Sequence, residues 1–424
     1  MVNNLNAEKP NCNWSESPLN TLLVLLKDGT HNPPKRSEIG IPLLSAVNIQ
    51  DGKIIFDENV SFIKEVEYKQ MHKNYEIQEE DVLLTIVGTL GRVAEVPKLD
   101  TKFTVQRSVA ILRTNIDLVT PRYLRYYMES SNFQNQLKSR SNVTAQAGIY
   151  LGELGKLRIR FPNLHEQSKI ASILSTVDET IEKTEAIIEQ TEKVKKGLMQ
   201  QLFTKGIGHT RFKKTEIGEI PVSWSVEKLN NIAKIIDCKH YTPQYCETGI
   251  PIVRTNNLTA TDLILDGSYY TSEEDYFKLT DKYTPKKGDI IYGREGSFGV
   301  ASYVNTDERF SIGQRVVVIS PLEILGEFLH FALNADIVFK QVLLASLGTT
   351  VKRINVSDIK QLLIPLPPRR EQEEIVNILL QLVQRSENEQ MYLATLNKIK
   401  RGLMQSLLTG KVRVKVDEDE VTQV

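Results

Sequence analysis

The chain has 424 residues, 41% hydrophobic and 25% charged; the length predicts two or three domains, and the composition excludes disordered and collagen-like classes. Lysine plus arginine and aspartate plus glutamate both total 53, so bulk charge advertises no nucleic-acid partner. No apolar run nears the roughly 18 residues of a membrane span. Residues 1–13 lack an apolar signal core, and three cysteines (Cys12, Cys238, Cys246) are too few for a disulfide scaffold. These features predict a reduced, cytoplasmic protein.

In chain order, 81–87 and 105–113 have strand composition punctuated by glycine turns, and 123–138 has helical periodicity. A long helix is predicted after Pro162, with aliphatic residues at strict 4-3 spacing: Ile170, Leu174, Val177, Ile181, Ile188, Leu198 and Leu202. Gly206 marks its stop, and 205–221 is a glycine-rich, polar connector. Strand composition returns at 289–292 and 316–319, and helical periodicity at 327–344. After Pro365, Pro367 and Pro368 a second seam follows through Ile375, Leu379, Leu382, Leu393, Leu396, Leu403 and Leu407, stopped by Gly410. About 40 residues of helix make a rod of roughly 60 Å. Thr184, Thr191, Ser386 and Glu389 interrupt the seams as polar positions that fix register.

The chain repeats itself. At an offset of 205, Pro162…Glu166-Gln167 returns as Pro367…Glu371-Gln372, and Gly197-Leu198-Met199-Gln200 as Gly402-Leu403-Met404-Gln405. The fronts match more loosely. Asp28-x-x-His31-x-x-Pro34 meets Asp237-x-x-His240-x-x-Pro243 at offset 209, and Gln106-Arg107 meets Gln314-Arg315 at 208. A period this long signifies a duplicated module rather than a solenoid. Net charge runs 0 over 1–157, +4 over 158–214, −4 over 215–360 and 0 over 361–424, so a DNA-binding reading must rest on organisation. Two diverged globular parts, each followed by a long helix, suit a bipartite partner such as duplex DNA at about 34 Å per turn.

With these motifs, and Thr215-Glu216-Ile217-Gly218-Glu219-Ile220-Pro221 before Trp224, essentially the whole chain resembles the specificity subunits of type I restriction–modification systems. The fold expected is α+β: two homologous mixed α/β target-recognition domains, each followed by a long helix, with the helices packed as an antiparallel coiled coil about a pseudo-two-fold. The boundaries expected are 1–157 and 223–362 for the recognition domains and 158–206 and 363–411 for the spacer helices. A connector spans 207–222 and a charged tail 412–424. The resemblance implies a non-catalytic subunit that reads a bipartite asymmetric DNA target. Its partners would be double-stranded DNA, two methyltransferase (modification) subunits and restriction/motor subunits. It implies no cofactor on this chain, with S-adenosylmethionine, ATP and Mg on the partner subunits. The alternatives are a specificity subunit for a fused nuclease–methyltransferase, and a duplicated scaffold that binds protein rather than DNA.

The residues offer little chemistry of their own. His31-Asn32-Pro33-Pro34-Lys35 lacks the aromatic residue and glycine-rich loop of an amino-methyltransferase, and no Gly-x-x-x-x-Gly-Lys-Ser/Thr loop occurs. Pro97-Lys98-Leu99-Asp100-Thr101-Lys102 lacks the second carboxylate of a nuclease site, and Cys238-x-His240 with Cys246 lacks a fourth zinc ligand. The catalytic and metal sets are therefore empty. The DNA-contact candidates are loop donors able to reach phosphates or base edges. In the first module these are His31, Asn32, Lys35, Arg36, Asn48, Arg92, Gln106 and Arg107. In the second they are Lys239, His240, Tyr241, Arg254, Asn256, Asn257, Arg294, Ser297, Gln314 and Arg315. Turn chemistry explains the letters common to both copies as well as function does, so the side chains that differ are the better candidates for base reading.

Overall fold

The structure is a computed structural model, and it describes residues 14–30, 34–57, 60–99, 101–141, 148–346 and 352–414. Contacts divide the chain into two compact units, one of residues 1–184 with 392–424 and one of residues 185–391. Each unit therefore takes in one module's globular part and the terminal stretch of the other module's long helix.

In the first unit an antiparallel sheet runs Leu23–Asp28, Val109–Thr114, Val82–Thr85, Val93–Glu95 in spatial order. Alternate side chains of a strand point to opposite faces, and both faces here are buried. Val82, Leu84, Ala110 and Leu112 pack under the helix layer, while Leu83, Val109 and Ile111 pack on the other side with Leu44, Phe103 and Val105. Leu44 and Val105 belong to a smaller sheet ordered Thr104–Val105, Ile41–Leu44, Ser61–Ile63, Arg36–Ser37. The helical stretch expected over 123–138 is two helices, Pro121–Glu129 and Ser131–Arg140. Ser130 breaks them, its hydroxyl accepting from Phe133 N at 3.4 Å as an N-cap. Ser15–Pro18 pairs antiparallel with Arg158–Phe161 and leads the chain into the long helix Leu164–Lys205.

The second unit repeats this topology. Its main sheet runs Ala233–Asp237, Val316–Pro321, Ile290–Gly293, Ala301–Tyr303, and its smaller sheet Tyr245–Cys246, Tyr269–Thr271, Ile250–Val253, Ser311–Ile312. Gly326–Asn334 and Asp336–Leu344 form the matching helix pair, again two helices where one periodic stretch was expected. Ser225–Lys228 pairs with Leu363–Leu366 before the second long helix, Arg369–Leu407. The predicted connector is partly ordered: Phe212–Thr215 and Gly218–Pro221 form a hairpin.

The long helices pack antiparallel. In the first unit Leu403, Met404, Leu407 and Leu408 join the cluster of Ile170 and Leu174, and Lys400 Nζ lies 2.7 Å from Asp178. In the second, Leu198, Met199, Leu202 and Phe203 join Ile375 and Leu379, and Ser386 Oγ donates to Glu192 Oε1 at 2.8 Å. Every expected seam position is buried or half-buried, including Val177, Ile181, Ile188, Leu382, Leu393 and Leu396. The polar seam residues Thr184, Thr191 and Ser386 are buried too.

The repeated Glu-Gln pairs build these junctions. Gln167 Oε1 accepts from Thr120 N at 2.8 Å while its amide donates to Leu118 O and Pro162 O; Gln372 likewise accepts from Leu325 N and donates to Pro367 O. Glu166 receives Arg413 bidentately at 2.7 Å on each oxygen. Glu371 instead accepts from Ile207 N (3.0 Å), His209 Nε2 (2.8 Å) and Trp224 Nε1 (2.9 Å). Each glutamate thus joins the start of one long helix to the chain just beyond the end of the other. Gly206 must be a glycine here: its φ is +62°, and a Cβ would lie 2.5 Å from Glu371 Oε1.

Candidate nucleic-acid interface

Three loops meet at one edge of each main sheet because its strands are antiparallel. In the second unit they follow Asp237, follow Gly293 and precede Val316. The loop after Asp237 meets the turn before Val316 where Gln314 Nε2 donates to Thr242 Oγ1 at 3.3 Å. It meets the glycine loop where Arg294 Nη1 donates to Asp237 Oδ1 at 2.8 Å, and Arg294 N donates to Arg315 O at 2.8 Å. The result is a cleft of about 240 Å³ lined by His240, Arg294, Gln314, Arg315 and Arg353, with Glu295 among them. Gly296 and Gly299 sit at φ +81° and +76°, as do Gly88 and Gly91 at +80° and +91° in the first unit. These glycines serve backbone geometry.

The candidates fall into two groups by what their polar atoms already do. Asn257 is buried: its Oδ1 accepts from Arg254 N, and its amide donates to Ile264 O and Ser268 Oγ. Asn48 does the same with Ser45 N and Ile55 O. Both amides hold their own loops shut and present no free edge to a base. Ser297 Oγ donates to Thr255 O, Tyr241 OH to Asp275, and Lys239 Nζ to Lys278 O beside Asp281. The Asp275 hydrogen bond is the largest influence raising the Tyr241 pKa.

The second group faces outward. Arg315, paired with Glu295 at 3.2 Å, keeps 61% of its side chain exposed, and His240, Asn256 and Gln314 are also exposed. Arg254 lies over the Tyr269 ring at 4.8 Å, a guanidinium–aromatic stack that holds the cation at the surface. Arg315 takes φ +74°, which a non-glycine residue adopts only at a cost. In the first unit Lys35, Arg36, Arg92 and Arg107 are exposed and Gln106 is half-buried. Gln106 bridges Thr30, which brings the Asp28 loop to the same sheet edge. His31 and Asn32 lie outside the described residues.

A family model described as the type I restriction modification DNA specificity domain matches residues 31–193 and again residues 221–398. The chain belongs to this specificity family. A curated relative, the type I restriction enzyme MjaVIII specificity subunit of Methanocaldococcus jannaschii, is 29% identical over 362 residues, 82% of each chain. The EcoKI specificity subunit of Escherichia coli is 22% identical over 428 residues, covering 94% of this chain and 89% of that one. The S subunit of a type I system from M. genitalium has the same fold at TM-score 0.56 and 17% identity, with 98% and 99% coverage. A chain solved in work on complex assembly of a type I system matches at TM-score 0.60 and 18% identity, over 94% and 98%.

Each matched specificity domain contains one three-loop edge. Sequence reasoning missed Arg353, which stands 38 residues beyond Arg315 and reaches the cleft through a bridge to Glu295. It also missed Tyr269, whose partner Arg254 lies on a different strand end. Neither carries a repeated letter that could have marked it. Among the described residues no group of three or more His, Cys, Asp or Glu is placed to hold a metal, and no helix is long and apolar enough to cross a membrane.

Proposed function

We propose that this specificity-family chain reads a bipartite, asymmetric DNA target, one half-site per module, and directs methyltransferase and restriction subunits to it. The observation that carries the reading is the duplicated edge. The same three loops stand on the same topology twice and share Arg107 and Arg315, yet their other outward side chains differ: Lys35, Arg36 and Arg92 in one, and His240, Arg254, Asn256 and Arg353 in the other. A shared scaffold with divergent outward donors suits two different half-sites. Arg315, Arg254 and Arg107 contact phosphate or guanine, while Asn48 and Asn257 hold the loops that present them.

On this reading the chain is non-catalytic and works in the cytoplasm. S-adenosylmethionine, ATP and Mg belong to the partner subunits, and two modification subunits supply much of the charge that its neutral total lacks. The isolated chain then binds DNA weakly, with affinity rising when modification subunits are added and falling steeply with salt. The direct test is genome-wide methylated-base sequencing of a host carrying this chain and its neighbouring modification subunit, against a deletion of this chain. A split asymmetric motif lost in the deletion is expected; an active modification subunit with an unchanged motif overturns the reading.

A further inference from the structure

The two units differ where the globular part meets its own long helix. In the first unit that junction is filled by the chain's own cations. Arg125 reaches Asp178 at 3.2 Å and Glu129 at 3.2 Å, its guanidinium lying over the Tyr126 ring at 4.3 Å. It packs so close to Gly52 that any side chain there would collide with it. Arg122 pairs with Glu95 at 3.3 Å, and Lys53 with Glu182 at 2.9 Å.

The matching elements place these residues in register with the second unit. The nine-residue helices Pro121–Glu129 and Gly326–Asn334 align Arg122 with Glu327, Arg125 with His330 and Tyr126 with Phe331. The Ile49–Ile54 and Leu258–Leu263 pairings align Lys53 with Asp262. The repeat of the long helices aligns Asp178 with Val383 and Glu182 with Glu387. Arg122, Arg125 and Lys53 are thus replaced in the second unit by a carboxylate or by histidine, while Lys400, which also serves Asp178, keeps a lysine counterpart in Lys195, itself paired with Glu192.

What is left is a cleft of about 320 Å³ lined by Asp262, Glu327, Glu387, His330, Phe331 and Val383 among others, with no lysine or arginine in its lining. Among the described residues none of its three carboxylates forms an ion pair. His330 is 4% exposed, and its Nδ1 is buried without a hydrogen-bond partner. A buried ring nitrogen without a hydrogen-bond partner is costly, and the three carboxylates lining the same cleft have no cation among the described residues, Glu327 having only the Tyr303 hydroxyl close by. The cleft also keeps an aromatic ring where Arg125 has its Tyr126, and the apolar surface of Val383 and Leu380 suits an aliphatic stem. The fit is to a guanidinium: several donors, positive charge and a face that stacks.

We propose that this cleft receives an arginine side chain of a partner protein, occupying in the second unit the place that Arg125 fills in the first. The partner is the modification subunit, an identification that rests on the function proposed above. Charge complementarity of this kind fixes orientation and register more than raw affinity, so one junction is sealed internally while the other is completed in trans.

The test uses the full-length chain and Nα-acetyl-arginine amide, with Nα-acetyl-citrulline amide as its neutral isostere, followed by ligand-observed NMR. Saturable binding of the arginine probe is expected, with none of the citrulline. E327Q/E387Q should weaken it roughly tenfold, whereas E182Q in the first unit should leave it unchanged. H330R/V383D, which installs the first unit's own ion pair, should abolish it. Equal binding of both probes, or unchanged binding in E327Q/E387Q, overturns the inference. So does undiminished assembly of E327Q/E387Q with the modification subunit. Salt-dependent DNA retention by the wild-type chain is scored separately, so failure of the function reading is distinguishable from failure of the cleft.

Discussion

The first and second units have the same strand order in both sheets, the same broken helix pair and the same Glu-Gln entry to a long helix. Yet Arg125, Glu129 and Asp178 of the first correspond to His330, Asn334 and Val383 of the second. A buried ion network and a histidine-lined cleft occupy the same place in one topology. Topology is therefore set by strand register and apolar burial, which leaves the polar junctions free to diverge. A buried ion pair adds little net stability over a well-packed neutral alternative, so such a change is tolerated when all its members change together.

Changing one member alone should be severe. Burial acts to raise the Asp178 pKa, but hydrogen bonds from Lys400 and Tyr126 and the charges of Lys400 and Arg125 outweigh it and hold that carboxyl low. Glu129 is instead pushed up by burial despite Arg125 and Lys400. R125A removes one of the two cations that serve these carboxylates and is expected to cost about 3–5 kcal/mol, seen by calorimetry as earlier melting of the first unit. R125H/E129N/D178V, which borrows all three of the second unit's residues, should recover most of that loss. If it does not, the two junctions are not interchangeable solutions.

The second comparison is with acid. Burial holds the His330 pKa down at about 4, against 6.5 for the free side chain. The folded state keeps this ring neutral while the unfolded state takes up a proton, so stability is complete above pH 6.5 and is lost as pH falls towards 4. The loss approaches about 3 kcal/mol. The first unit carries an arginine there, which does not titrate in this window. Urea unfolding at pH 7.5 and 4.5 should show a fall that H330F shares only in part; equal falls would show that other groups dominate.

The junction glutamates differ by a smaller amount. E371A removes the acceptor of the Trp224 indole and of the Ile207 amide, leaving donors with little water access, and is expected to cost about 2 kcal/mol. E166A removes the bidentate acceptor of Arg413, whose side chain is 43% exposed, so about 1 kcal/mol is expected. Denaturant midpoints of the two variants should rank in that order.

The repeat and the 4-3 spacing made the long helices legible because both are properties of consecutive letters. Ile170 through Leu202 and Ile375 through Leu407 lie on the seam for that reason. The breaks at Ser130 and Ala335 were hidden because apolar periodicity runs on through them. At the three-loop edge some shared letters have a local explanation. Asn48 and Asn257 recur because both copies need an amide to close the same loop. Invariance at these two asparagines therefore reflects folding, whereas the invariant Arg107 and Arg315 are exposed, as are the donors that differ between the copies. Arg353, the Arg254–Tyr269 stack and the Arg125–His330 exchange were illegible because their meaning lies in tertiary neighbours far away in sequence.

Gln106-Arg107 and Gln314-Arg315 share their letters but not their backbone, and this yields the finest test. Arg315 sits at φ +74°, and Arg107 is not among the residues of positive φ. Glycine at 315 removes the Cβ that makes that conformation costly, while the exposed pair with Glu295 is worth little. R315G should therefore raise stability by about 1 kcal/mol in urea unfolding. It should also lower the slope of log affinity against log salt for DNA by about one, the signature of one lost phosphate contact. R107G should lower that slope similarly with no gain in stability. Were R315G more stable with its DNA slope unchanged, Arg315 would make no phosphate contact, and that contact would fall to its neighbours Arg294 and Arg353.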